Sequence, residues 1–396
     1  MMQSLFTLVA KRIIPLLSGK SWKLRAAALC VLYCILTSLP NYPNLTESGL
    51  KQSPYAALLL ENYQALSNQT DHPFEPIRAG VSTHSSKLTF RFMPALLISI
   101  LPTDDLFVRM LSLYIINNLA GFLFFFGLIS LTFRYSDSRL FSCLVAFNFC
   151  VLYVGKSFFH DTYLWNDGIA FAFLLLSLLS RNPFVMLACL LAAYFTDERA
   201  IFGGVLVFVY HKLTGPDAGK PAMLIPLTYR DLPFICSLVS YVVIRLVITQ
   251  FTGLQTPVGG SSGVSLLLRF EERFPIWINI VGLIGIYKVA WVLLLRSVGW
   301  LKREPFLLIC FVFGVSSLIV ISLSVEDLTR SLAYSFMALT CGFLLYHRHN
   351  TRSENGNPEY GAFQFLLLNA CIPTISVVLY YTKLLPPIDR LIARFL

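Results

Sequence analysis

A chain of 396 residues, 56% hydrophobic and only 13% charged, falls far short of the roughly 25% charge of a soluble domain, which excludes a soluble globular fold. Apolar runs of helix length recur without polar alternation, which excludes a β-barrel and implies helices crossing lipid. The net charge of +10 would suggest nucleic acid in a soluble protein; here topology accounts for it, and no nucleic-acid partner is expected.

Residues 1–25 place Lys11, Arg12, Lys20, Lys23 and Arg25 beside an amphipathic Leu/Ile/Phe pattern, as expected of a cytoplasmic helix lying on the membrane. A first span covers about 25–40, and no small-x-small cleavage site precedes Pro40, so it is expected to be retained. Residues 41–103 form a polar first outer loop with two half-apolar helices, Tyr55–Leu66 and Leu88–Leu101. Further spans are expected near 104–133, 139–155, 162–180, 184–196, 200–212, 231–251, 275–298, 305–323, 328–346 and 362–382, with an amphipathic tail at 386–396. The fold class is therefore all-α: a polytopic integral membrane protein of about eleven spans, within a range of about ten to thirteen. Residues 26–385 read as one transmembrane domain.

Basic residues set the orientation. With the N-terminus inside, Arg134, Arg139, Arg181, Lys212, Arg230, Arg296, Lys302, Arg303 and Arg348 fall in inner loops, while most acids fall on the outer side. An inner-membrane protein with its working face on the periplasmic side is expected. The nine cysteines all lie inside apolar runs without CxxC or His/Cys spacing, which makes them packing residues rather than metal ligands. P-loop, GxGxxG, HExxH and GxSxG motifs are absent.

The outer face collects Glu47, Glu61, Asp71, His72, His84, Lys87 and Arg91 from the long loop. Later segments add Lys156, His160, Asp161, Asp167, Asp197, Glu198, Arg199, Glu326, Asp327 and Arg330. If 160–167 is helical, His160, Tyr163/Leu164 and Asp167 share a face, as do Glu326 and Arg330. A carboxylate can serve as general base on an acceptor hydroxyl, while Arg and Lys hold a phosphate leaving group. The plainer readings are a helix-start ion pair for Asp327 and Arg330 and a helix cap for Asp197 and Glu198. Neighbouring His160 and Asp161 would point to different faces, which argues against a catalytic dyad.

Four segments together resemble the GT-C superfamily of polytopic glycosyltransferases. They are the early loop with Glu47 and PYAALLLENYQAL, the loop end HSSKLTFRFMPALL, the span–turn–span DTYLWNDGIAFAFLLLSLL…LAAYFTDERA, and VEDLTRSLAYSFMAL. The resemblance implies sugar transfer from a polyprenyl-phosphate donor to a glycan or glycolipid hydroxyl in cell-envelope polysaccharide assembly. It implies Glu47 as base, where the family usually has Asp, with Asp71 as second choice and Asp161 a third catalytic candidate. It also implies that Arg91, Arg199 and Arg330 face the lipid phosphate, with Lys87, Asp167, Asp197, Glu198 and Asp327 completing the substrate site. A divalent metal is left open. The family's frequent soluble C-terminal domain has no counterpart, so acceptor recognition is expected from the membrane part or a polysaccharide-assembly partner. An O-antigen-type polymerase or ligase and a lipid-linked-sugar flippase are the alternatives.

Overall fold

The computed structural model describes residues 2–38, 56–75, 89–101, 103–161, 164–180, 182–215, 228–254, 276–325, 327–351, 356–372, 374–378 and 381–385. In chain order the helices begin with α1 (Met2–Leu16), α2 (Trp22–Ser38), α3 (Ala56–Asp71), α4 (Phe92–Ser99), α5 (Leu106–Ser136) and α6 (Arg139–Cys150). Then come α7 (Tyr153–His160), α8 (Asp167–Leu176), α9 (Pro183–Tyr194), α10 (Ala200–Thr214) and α11 (Leu232–Thr252). The series ends with α12 (Ile276–Tyr287), α13 (Ala290–Trp300), α14 (Pro305–Ser324), α15 (Leu328–Ala333), α16 (Phe336–Thr351) and α17 (Pro358–Cys371). An antiparallel hairpin follows, β1 (Thr374–Val378) and β2 (Tyr381–Leu385), in register from Thr374 opposite Leu385 to Val378 opposite Tyr381.

Local chemistry sets the ends of these helices. Asp105 caps α5 by accepting from Val108 N at 2.9 Å, and Asp137 ends it in a left-handed conformation. Ser138 then caps α6, and the dipeptide Asn182-Pro183 opens α9, with Pro at the position where a missing N–H costs nothing.

Among the described residues three helical stretches are long and apolar enough to cross a membrane: 106–136, 229–252 and 305–324. Counting each bent pair as one span raises this to five. The pairs are α6–α7, bent by 62°, and α12–α13, bent by 78°. Among the described residues about eleven regular spans are not shown. The stretch 328–346 splits into α15 and α16, and 362–382 into α17 and the hairpin. α8, α9 and α10 are apolar but shorter than a spanning helix. Expectations for 386–396 lie outside the described residues.

The core is a single aromatic-rich cluster in which Phe124, Phe158, Phe171, Phe336 and Tyr334 pack edge to face. α5 packs on α2, α6 and α8; α9 on α11; α10 on α14; and α13 on α16. The opposite side of α11 stays uncovered, leaving Val239, Val243, Leu246 and Val247 exposed. Such an apolar face belongs against lipid or another apolar surface.

The two bends brace each other. Lys288, left-handed at the α12–α13 break, donates from Nζ to Val151 O at the α6–α7 break (2.8 Å) and to Asn369 O (2.9 Å). Thr374 Oγ1 also donates to Val151 O at 3.0 Å, and Asn369 Oδ1 accepts from Val289 N at 3.1 Å. A helix break buried away from water exposes carbonyls that need such partners.

Candidate functional site

Between α7 and α8 the described residues, Asp161 and 164–166, are not helical. Asp161 turns the chain by accepting from Trp165 N (3.2 Å) and Asn166 N (3.0 Å), and Leu164 and Asn166 take positive φ values of 55° and 62°. A left-handed Leu is a strained choice, of the kind found where surrounding structure holds a site in place. The shared helical face expected for His160, Leu164 and Asp167 does not exist, because the helix ends at His160 and Leu164 and Asn166 are left-handed. His160 Nδ1 instead lies 2.9 Å from Lys156 O of its own helix, so a His160–Asp161 dyad is not formed.

After this break Asp167 lies buried at the N-terminus of α8. Its Oδ1 accepts from Arg199 Nη2 at 3.0 Å and from the Tyr334 hydroxyl at 2.9 Å, and its Oδ2 from Arg330 Nε at 2.6 Å. Asp197, fully buried, forms the second hub. Its Oδ1 accepts from Arg199 N (3.0 Å) and Nε (2.7 Å), and its Oδ2 from Arg199 Nη2 (2.7 Å) and Arg91 Nη2 (2.9 Å). Arg91 also spans to Glu198 at 3.3 Å, Arg199 Nη1 donates to Ser331 Oγ at 2.7 Å, and Arg330 Nη1 donates to Asp327 at 2.6 Å.

Each guanidinium arrives from a different element. Arg91 precedes α4, which is tied to the α9–α10 turn through Met93 N donating to Phe195 O at 3.1 Å. Arg199 leads α10, and Arg330 sits in α15. Three guanidiniums thus face Asp167, Asp197, Asp327 and Glu198. Buried charges are tolerated only when paired this closely. For Asp197 burial acts to raise the pKa, but the guanidiniums of Arg199 and Arg91 override it and hold the carboxyl below the ordinary range. At Asp161 burial prevails over the nearby Arg330, and the pKa rises from 3.8 to about 6.

The pairing is not complete. Among the described residues Arg330 Nη2 and Asp327 Oδ1 are buried with no hydrogen-bond partner, although Arg330 lies over the Trp165 ring at 4.3 Å. Trp165, Leu164, Asn166 and Arg91 also line a small enclosed pocket with Asn62 and Gln69. Beside it opens an apolar groove of about 770 Å³, bounded by Phe74, Phe92, Phe173, Phe195, Ile244 and Ile248. Phe92 follows Arg91 directly, and Phe195 is two residues before Asp197, so the groove leads to the charged cluster.

Seven of the sequence-derived site residues converge: Arg91, Asp167, Asp197, Glu198, Arg199, Asp327 and Arg330. Asp161 stands at their edge, within electrostatic reach of Arg330 and Asp167. Asp71 does not join them. It pairs with Arg109, Oδ2 to Nη1 at 2.8 Å and Oδ1 to Nη2 at 2.9 Å, and the hydrogen-bonded guanidinium lowers its pKa. Glu47, Lys87, His84 and Glu326 lie outside the described residues. Sequence reading missed Tyr334, Ser331 and Trp165; the i,i+4 spacing of Arg330 and Tyr334 was a signal for the first, and nothing marked the other two.

Among the described residues no group of three or more His, Cys, Asp or Glu is placed to hold a metal. The chain matches no family model, no curated protein and no solved structure, so the cluster rests on its own geometry.

Proposed function

We propose that the protein is a multi-pass membrane glycosyltransferase that takes a sugar from a polyprenyl-phosphate donor and passes it to a hydroxyl of a glycan or glycolipid acceptor at the outer membrane face. The observation that carries this reading is the apolar groove running up to a buried Arg/Asp cluster. A donor of this class is itself an apolar chain ending in a phosphate. The groove offers the chain a dry wall, and Arg91, which directly precedes Phe92 of the groove, lines the small pocket.

In this reading Arg91 and Arg330 stabilise the phosphate as the glycosidic bond to it breaks. Asp167 and Asp197 hold the guanidiniums in position and moderate their charge, so that the leaving lipid phosphate is not trapped. Asp161, with its pKa near 6, matches a general base working close to neutrality. Glu47 remains the base that the family resemblance implies. The test is to incubate purified protein with a polyprenyl-phosphate hexose and a glycolipid acceptor. Turnover to free polyprenyl phosphate, lowered at least about a hundredfold by Asp161→Asn or Glu47→Gln, supports the reading; unchanged product from both variants sinks it.

A second reading, a lipid-linked-sugar flippase, is favoured by one observation. The two bent helix pairs meet through Lys288 at their breaks, a device common where a transporter must rock. Donor translocation across vesicles without turnover would select it.

A further inference from the structure

At the far end of the bundle from the Arg/Asp cluster lies a second cavity, of about 470 Å³. Arg199 and His211 bracket α10 and so lie about 18 Å apart along the helix. The cavity is lined by Arg134, Arg230, Arg348, His211, Tyr135 and Tyr210, with Leu131, Leu178 and Met186 forming an apolar wall, and among the described residues no acidic side chain lines it.

Among the described residues no carboxylate hydrogen-bonds the guanidinium of Arg134 or of Arg230. Arg134 reaches only the carbonyls of Leu178 and Leu179, each at 3.5 Å, and Arg230 only the hydroxyl and ring of Tyr229. Asp231, the nearby carboxylate, binds Lys212 Nζ at 2.6 Å and Thr228 through Oδ2, and its Oδ1 lies 3.8 Å from His211 Nε2. Glu304 is within electrostatic reach of Arg348 but does not border the cavity. The hydroxyl of Tyr135, beside Thr132, is buried and carries no hydrogen bond of good geometry. A cavity of this volume with convergent donors, positive charge and one apolar wall is built for a ligand rather than for packing.

We infer that this cavity binds a phosphate group, distinct from any donor at the Arg/Asp cluster. Arginine's planar fork suits phosphate oxygens, and tyrosine hydroxyls add neutral donors. Two sources share that chemistry: the headgroup of an anionic lipid, whose glycerol and acyl portion would lie along Leu131, Leu178 and Met186, or a free phosphate compound.

The test uses the full chain purified in neutral detergent. Dihexanoyl phosphatidic acid, inorganic phosphate and, as control, dihexanoyl phosphatidylcholine are each titrated while thermal unfolding is followed by tryptophan fluorescence. We expect phosphatidic acid to raise the melting temperature, and the doubly substituted Arg134→Gln, Arg230→Gln protein to bind it at least about tenfold more weakly. Stabilisation by the lipid alone assigns a headgroup. Equal stabilisation by inorganic phosphate assigns a free phosphate compound. No stabilisation by either probe overturns the inference, as does stabilisation undiminished in the double variant. Arg230→Gln alone changes an exposed side chain and carries the comparison if the double variant does not fold.

Discussion

Asp167 joins three donors from two segments, Arg199 ahead of α10 and Arg330 and Tyr334 in and just after α15, and none of its partners is near it in sequence. Replacing it with Asn keeps the volume but removes the charge and turns an amide N–H toward a guanidinium. Arg199 and Arg330 would then be buried with too little compensation. Asp167→Asn is expected to cost about 3–5 kcal/mol of stability; denaturant unfolding in detergent measures it, and a loss under about 1 kcal/mol would mean that water already screens the cluster. Asp161 behaves differently. In the folded chain its pKa is about 6 against an ordinary 3.8, so between those values the folded state holds a proton that the unfolded chain has released. Stability therefore falls as pH rises through that window, by roughly 3 kcal/mol. Melting temperatures from pH 4 to 7 should show the fall in the native protein and its loss in Asp161→Asn. Asp197 works in the opposite sense: its contribution is complete above the ordinary carboxylate pKa and disappears as the pH drops below it.

At the scale of elements, the site depends on how closely α8 approaches its neighbours. A Cβ on Gly168 would stand 2.6 Å from both Asn117 Oδ1 on α5 and Phe158 Cδ1 on α7. The contact with Phe158 is to a buried ring in the aromatic core, so the helix rather than the ring must yield. Gly168→Ala is therefore expected to cost about 1–3 kcal/mol by overpacking and to shift Asp167, its immediate neighbour, away from Tyr334 and Arg330. Transferase turnover should drop more than binding of an acceptor that does not reach the cluster; equal loss of both would point to general unfolding. The bends at Val151 and Lys288 belong to this scale too. Their sequences read as unbroken apolar runs because the polar partners that make a break tolerable, Asn369 and Thr374, lie far along the chain.

The whole molecule is polarised, with the Arg/Asp cluster at one end and the arginine-lined cavity at the other. The orientation proposed from the distribution of basic residues would put the arginine end in the cytoplasm. Single cysteines at Ser136 and at His72, in a background with exposed Cys236 and Cys371 replaced, test this: an impermeant maleimide added to intact cells should label position 72 and spare 136. The reverse pattern would invert the proposed orientation and move the Arg/Asp cluster to the cytoplasmic side.

Composition and apolar run length by themselves determined that this chain is helical and suited to lipid, because those properties depend only on how much polar surface a segment must satisfy. The charged residues that matter were also legible, since Asp and Arg beside long apolar runs are costly and stand out. Their arrangement was not. Hydropathy cannot distinguish a span from a helix that stops at Asp161 or bends at Lys288, because a break is set by hydrogen-bond partners from elsewhere in the fold. Only the tertiary structure decided that Asp167 turns inward, that Asp71 belongs to Arg109, and that three arginines read as free phosphate contacts are held by carboxylates. Those outcomes depend on which distant charges meet in a dry interior, where an unpaired ion is too costly to leave alone.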